Sequence, residues 1–558
     1  MTDRRGTANP DSVLGLLPVL AVLAAVCVPL LMLLRDGSFD LSHDMFAFAA
    51  QFDDPQLRVA FISTVTIALA ACAMATIVAL LLAAAVFLSF RQSMATALLM
   101  MILPLVVPAF LTAAIFGPLL DLVGARMVTM LGAAGALIEE NSLQLALLYG
   151  LHYFPLLTGI MLFRLDRYDQ DQADAALTLG GNRWTVWRAI IAPLALPGLV
   201  LGACVMALRI IGDAATPTLL GHNTVLATVF LDRLDLPAET PLAPATLLIV
   251  ALGMAVVVLA WNSLTPSTAP LPDTRAMAVR RNPAALSAGK RLLLLPLLIS
   301  GAALALLPIA ASINSAVHGF WPPSAPGMNG MAAFAFQPLL PDLRLTMAAA
   351  AASGIGLLFG AWLLAPLVRR GGLAGPVTRG IVLLAFSVSP LVLAGGWSHV
   401  TQFWLPAGNA GAAVWAALVL VVTVQSLPLG IYMVERRLNP DADVLRAADR
   451  SLGDTGRTRP SLLTSTGSMG PPIAVFLVGS TALIIELNAA MALVRIGDHH
   501  LMVRLFNSVA ENGDWAFTAI LLLLLSLGGA VLGISAWLDR NSRPSRRAAS
   551  DNWQENPE

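Results

Sequence analysis

Apolar runs of about twenty residues recur along the whole chain, and this property leaves few folds open. A helix needs about 20 predominantly apolar residues to cross a hydrocarbon layer about 30 Å thick. Within that layer every backbone N–H and C=O must find a partner in the protein, which a helix supplies from its own segment. With 57% hydrophobic residues, 12% charged residues and a mean hydropathy of +0.78, the expected fold class is an all-α polytopic membrane protein.

Taken in order, the runs predict spans at 13–34, 61–88, 95–120, 143–163, 192–212 and 242–262, then 292–312, 342–368, 377–397, 412–434, 471–489 and 515–538. That makes about twelve helices in two sixes. The first run follows Arg4 and Arg5, exceeds a signal-peptide core in length and lacks a small-residue cleavage site, so it is expected to remain as an anchor and first span. Cys27, Cys72 and Cys204 lie in apolar runs, read as small hydrophobes and fit no metal spacing. A formal net charge of zero gives no reason to expect a nucleic-acid partner.

Basic residues set the orientation of a multi-span protein, because Lys and Arg accumulate on the cytoplasmic side. With the N-terminus inside, cytoplasmic segments hold 25 of the 33 basic residues, including the stretches 164–188, 275–291 and 436–459 and the tail from Arg540. Both termini are therefore expected in the cytoplasm. The two sixes also match each other. Thr64 pairs with Thr346 and Pro108 with Pro390 at an offset of 282, while Pro155 pairs with Pro428 and Gly180 with Gly453 at 273. The change in offset falls at a longer outside loop in the first copy, "DLVGARMVTMLGAAGALIEEN". The expected domains are a first half over 1–262 with a cytoplasmic loop at 164–191, a linker at 263–290, a second half over 291–538 with a loop at 435–470, and a cytoplasmic tail at 539–558.

The stretch "DAALTLGGNRWTVWRAIIAPLALP" (174–197) interrupts this apolar pattern with polar residues, glycines and arginines. Ala173, Ala176, Leu177 and Gly180 recur at helical spacing and predict a short helix with one small, smooth face suited to a protein groove. Asp169, Asp171 and Asp174 favour the start of that helix. Gly180 and Gly181 break it, and Trp184, Trp187 and Ile191 begin a second apolar stripe. The expectation is a helix, a sharp turn and a second helix. On the residues alone, an amphipathic loop lying at the membrane surface is the competing reading.

These residues resemble the cytoplasmic signature of permease subunits of binding-protein-dependent ABC importers, which runs E-A-A, three residues, G, nine residues, then I-x-L-P. Asp174, Ala175, Ala176, Gly180, Ile190 and Pro193 fall at that spacing, with Asp for Glu and Ala192 for Leu. The resemblance implies that this loop is a coupling helix seated on an ATPase subunit, and that the chain has the type I importer permease fold. In the second half Ala447, Ala448, Asp449 and Gly453 stand at the equivalent positions, but "LTST" (463–466) replaces the I-x-L-P part, giving a degenerate loop. The layout also resembles fused permeases of the ferric iron, thiamine and 2-aminoethylphosphonate group. There the runs "DAATPTLLG" from Asp213 and "ELNAAMAL" from Glu486 have counterparts. Implied partners are two cytoplasmic ATPase subunits, which carry the ATP and Mg²⁺, and a periplasmic or lipid-anchored solute-binding protein. The implied setting is the bacterial inner membrane.

Glu486, a carboxylate inside a span, is expected either to line the path or to pair structurally with Arg209 or Arg495. Asp213, at the corresponding end of the first half, reads as a solvated carboxylate at a loop start. Pro104, Pro108 and Pro390 kink or break helices near the outer part of the path. His499 and His500 are expected to be a solvated pair rather than metal ligands. No G-x-x-x-x-G-K-[ST] loop is present, so ATP binding by that route is not expected in this chain and neither are catalytic residues. The competing function classes are an ion-coupled secondary transporter, which would need more ionisable groups deep in its bundle, and a membrane enzyme or scaffold, which would need a polar cluster at the interface.

Overall fold

A computed structural model describes residues 17–35, 53–90, 108–114, 140–165, 170–235, 242–264, 294–303, 340–368, 374–404, 410–435, 470–493 and 500–511, with residues 116, 168 and 528. Every regular element among the described residues is helical. The first half contributes α1 (Leu17–Arg35), α2 (Pro55–Phe90), α3 (Glu140–Leu165), α4 (Gln170–Thr178), α5 (Arg183–Ile211), α6 (Ala215–Leu219), α7 (Leu226–Asp235) and α8 (Ala243–Leu264). The second contributes α9 (Leu294–Ala303), α10 (Leu340–Val368), α11 (Ala374–Ser387), α12 (Pro390–Trp404), α13 (Ala410–Glu435), α14 (Gly470–Ile484), α15 (Asn488–Leu493) and α16 (Leu501–Ala510). The chain is thus an all-α polytopic membrane protein. Among the described residues seven helices are long and apolar enough to cross a membrane, or eight if α11 and α12 count as one span.

Six of the expected spans coincide with helices to within a few residues. Three differ. The run at 192–212 continues a helix that already begins at Arg183, so the second part of the 164–191 loop and the span behind it are one rod. The run at 377–397 is broken at Ser387–Pro390 by an 89° bend, because Pro390 offers no N–H and the carbonyls before it lose their partners. Gln425 of α13 repairs the break by donating its amide to the carbonyls of Ala385 and Val388. The run at 471–489 stops being helical at Ile484, which leaves α14 short. The predicted spans at 95–120 and 515–538 lie largely outside the described residues, as do most of 292–312, the linker 263–290 and the tail 539–558.

Helices α1 and α9 pack mainly on helices distant from them in sequence. Helix α1 packs chiefly on α12 and α11, and also on α8, α13 and α10, and Trp397 of α12 donates its indole N–H to the Ala25 carbonyl at 3.2 Å. Conversely Leu297 of α9 joins the first-half core with Leu82, Ala75 and Leu148.

The same two contacts occur in each half. In the first, the Leu226 N–H at the start of α7 donates to Thr64 Oγ1 of α2 at 2.9 Å, and Arg233 of α7 pairs with Asp54 just before α2. In the second, the Leu501 N–H at the start of α16 donates to Thr346 Oγ1 of α10 at 3.2 Å, and Arg504 pairs with Asp342. In each pair one side chain is buried, with Arg233 5% and Asp342 2% exposed. Removing one member of such a pair strands a charge in a poor environment. Arg233→Met is therefore expected to lower stability by about 2 kcal/mol, less than for a fully buried pair because Asp54 is partly exposed. A double variant, Arg233→Met with Asp54→Leu, should recover part of the loss in a thermal melt of the detergent-solubilised protein; no recovery would show that the pair is not coupled.

Candidate functional site

Two places concentrate the residues singled out by sequence. The first is the loop at 164–193. Helix α4 ends in a Schellman turn, in which the Gly181 N–H donates to the Ala176 carbonyl at 2.9 Å and the Gly180 N–H to the Leu177 carbonyl at 3.1 Å. Gly180 has φ +88°, a left-handed conformation that costs an L residue with a Cβ about 1–2 kcal/mol. The next helix starts with a capping box: Asn182 Oδ1 accepts from the Thr185 N–H at 2.9 Å and Thr185 Oγ1 accepts from the Asn182 N–H at 3.3 Å. One π turn over Trp187–Ile191 then absorbs Pro193, which has no N–H to give. The predicted helix, turn and helix are all present, and Ile190 and Pro193 lie where the second helix enters its long apolar part. Asp171 lies in the first turn of α4, whereas Asp174 sits mid-helix and exposed, so its charge cannot serve that terminus as expected.

The small-residue face does not point where the sequence suggested. Ala173 is 4% exposed and packs with Phe87, Leu165 and Tyr168, and Ala176 is half-buried beside them. Smallness here allows α4 to lie close on the ends of α2 and α3. The outward surface is instead Asp174, Ala175, Leu177, Leu179 at 89% exposure and the stacked pair Trp184–Trp187, whose rings are 4.8 Å apart. Apolar groups this exposed on an element rigidly joined to a span are suited to a partner's groove. The corresponding second-half residues Ala448, Asp449 and Gly453 lie outside the described residues.

The second place is the break that follows α5 and its counterpart after α14. Asp213 is not a solvated loop carboxylate: it is 6% exposed. Its Oδ2 accepts from the Tyr149 hydroxyl at 3.0 Å and from Thr216 Oγ1, and its Oδ1 accepts from the Thr216 N–H at 3.3 Å. A carboxylate can live there because three donors replace its water. Glu486, half-buried, likewise accepts from the Ala489 N–H at 3.0 Å. Each acid therefore caps the short helix three residues on, α6 in one half and α15 in the other. Arg209 and Tyr153 stand near enough to Glu486 to interact with it electrostatically, and Arg495 lies outside the described residues. Arg209 is exposed although the 192–211 part of α5 is otherwise apolar, which fits a water-containing space beside the break.

Pro390 opens α12 at its bend, and Pro108 opens a helical turn whose Leu111 N–H returns to its carbonyl at 3.1 Å. Pro104 lies outside the described residues. His500 corrects the solvated-pair expectation. It is fully buried, beside Trp415, and its Nδ1 accepts from the Met502 N–H at 3.3 Å to cap α16. Among the described residues no group of three or more His, Cys, Asp or Glu could hold a metal ion. Sequence reading missed Tyr149, Asn488, Asp54 and Arg233. The spacing of Asp213 from Glu486, again 273, was the available pointer to their shared role.

Comparison with known proteins gives one finding. Residues 75–268 match the family of binding-protein-dependent transport system inner membrane components. The match covers α3 to α8 and the whole 164–193 loop. No curated protein and no solved structure matches.

Proposed function

We propose, from the family match over residues 75–268, that this chain is the complete translocation unit of an ATP-driven importer: both permease halves fused in one polypeptide, in the bacterial inner membrane with both termini cytoplasmic. Two cytoplasmic ATPase subunits supply the energy, and an external binding protein, periplasmic or lipid-anchored, delivers a small solute. Ferric iron, thiamine and a phosphonate are the candidate solutes of the fused group that the chain resembles.

The observation that carries this reading is the 164–193 loop, which lies within the matched segment. A Schellman turn and a capping box fix α4 against α5, and the exposed Leu179, Trp184 and Trp187 offer a partner an apolar face. Since α5 runs unbroken from this face to Ile211, movement of a docked ATPase is delivered as a rigid-body movement to Asp213. The recurring Thr–N–H and Arg–Asp contacts support an internal duplication. Asp213 and Glu486, with Pro108 and Pro390 nearby in sequence to each half's third span, mark where irregular backbone borders the path.

Affinity purification of the tagged chain in mild detergent from its native host tests the reading. The expected result is an ATPase subunit at about two copies per chain. A lone chain whose transport in vesicles follows an ion gradient without ATP would replace the importer with a secondary carrier.

A further inference from the structure

Each break caps its own short helix, yet one side chain is spent across the molecule. Asn488 Oδ1, at the start of α15, accepts from the Ala214 N–H at 2.9 Å and the Ala215 N–H at 3.1 Å, the first residues after Asp213. Asn488 is 273 residues after Ala215, the same offset that relates Gly180 to Gly453 and Pro155 to Pro428. A contact between equivalent positions of two copies must lie on the axis that relates them. The contact is also one-sided, since Ala215 has no polar side chain to offer in return. Around it the surface is stripped of bulk: Ala214, Ala215, Ala489 and Ala490 are buried, and a Cβ on Gly212 would collide with Ser389 Oγ of the other half. Small residues let two backbones approach this closely.

We infer that Asn488 is the latch between the two halves: its side-chain oxygen holds the Ala214–Ala215 backbone on the pseudo-two-fold axis when the path is closed at this level, and releases it when the halves part. The inference rests on the duplicated-permease reading. Its physical basis is the two N–H groups. Away from water they cannot be left without acceptors, so parting the halves requires water to reach them. Closing expels that water and returns the donors to Asn488. The asparagine is thus a positioning residue: two neutral hydrogen bonds to the backbone, with its side-chain bond to Asp213, make a reversible contact that moves the closed-to-open ratio by about tenfold.

The test uses the full chain in proteoliposomes, with Cys27, Cys72 and Cys204 replaced by alanine. A single Ala215→Cys is labelled with a membrane-impermeant maleimide. Adding Asn488→Leu should raise the labelling rate about tenfold, and Asn488→Gln, which keeps an uncharged amide beside Asp213, should bring part of it back. Unchanged labelling in Asn488→Leu, with the protein still folded by its thermal melt, overturns the latch. Independently, Ala215→Cys with Asn488→Cys should be bridged by a short bifunctional thiosulfonate, and, once the ATPase subunits are added to the proteoliposomes, the bridge should suppress nucleotide-dependent changes in labelling of a further Arg209→Cys. No bridging overturns the seam itself. Bridging without an effect on those changes overturns its movement. Neither labelling nor bridging in the chain alone needs an ATPase, so absence of a co-purifying ATPase would remove the importer reading while leaving the seam tested.

Discussion

Gly180→Val is expected to abolish co-purification of an ATPase while the chain itself folds. Gly180 occupies φ +88° with open space around it, so the penalty is backbone strain and not a clash. Valine, branched at Cβ, is among the residues least able to adopt that region. The Schellman turn then opens, α4 leaves its seat on Phe87 and Leu165, and the surface formed by Leu179, Trp184 and Trp187 loses its shape. Helices α2, α3 and α5 pack elsewhere along their lengths, so the melting temperature should move by less than about 3 °C. Loss of bound ATPase should be tenfold or more by quantitative blotting. Gly453→Val, in the degenerate second loop, is expected to cost much less, because "LTST" stands where the first loop has Ile190 to Pro193. Equal losses from the two variants would show that both loops grip their ATPases alike, and full retention in Gly180→Val would remove the loop from the interface.

The second large effect is at Asp213. Asp213→Ala removes the acceptor for the Tyr149 hydroxyl, Thr216 Oγ1 and the Thr216 N–H, all in a buried setting. Each stranded donor costs about 1–3 kcal/mol, partly relieved by relaxation, so a destabilisation of about 3 kcal/mol is expected. Asp213→Asn keeps one carbonyl oxygen and should lose about half of that. A double-mutant cycle of Asp213→Ala with Tyr149→Phe is expected to give a coupling of about 1 kcal/mol in the melt. Zero coupling would mean that Tyr149 and Asp213 act separately, and an unchanged melt in Asp213→Ala would deny the carboxylate its organising role.

Legibility differed between elements for physical reasons. The long helices were readable because burial in hydrocarbon imposes a composition that nothing else in the chain shares. The turn at Gly180–Gly181 was readable because a left-handed residue selects glycine. The break after Ile484 was not, because it carries no more than an acid, an asparagine and alanines inside a run that remains apolar, and at the break after Ile211, which falls at the end of the predicted 192–212 span, the burial of Asp213 was not foreseen. The inward aim of Ala173 and Ala176 was missed for a related reason: a small face can mean a partner's groove or a close approach to the protein's own helices, and periodicity is the same for both. His500 was misjudged because an adjacent histidine pair looks solvated until the helix it caps is seen.

What the sequence by itself determined is therefore the class of fold, the order of the long helices among the described residues and the place of the loop that joins α4 to α5. All follow from local rules: hydropathy against a membrane thickness and the backbone freedom of glycine. Only the tertiary structure decided that α1 packs on α12 and α11, that Leu297 of α9 joins Leu82 and Leu148, that Asp54 meets Arg233 and Asp342 meets Arg504, and that Asn488 reaches Ala214 and Ala215. Those contacts join residues 162 to 372 positions apart. No local preference specifies such pairs, because their energy exists only once the helices have packed.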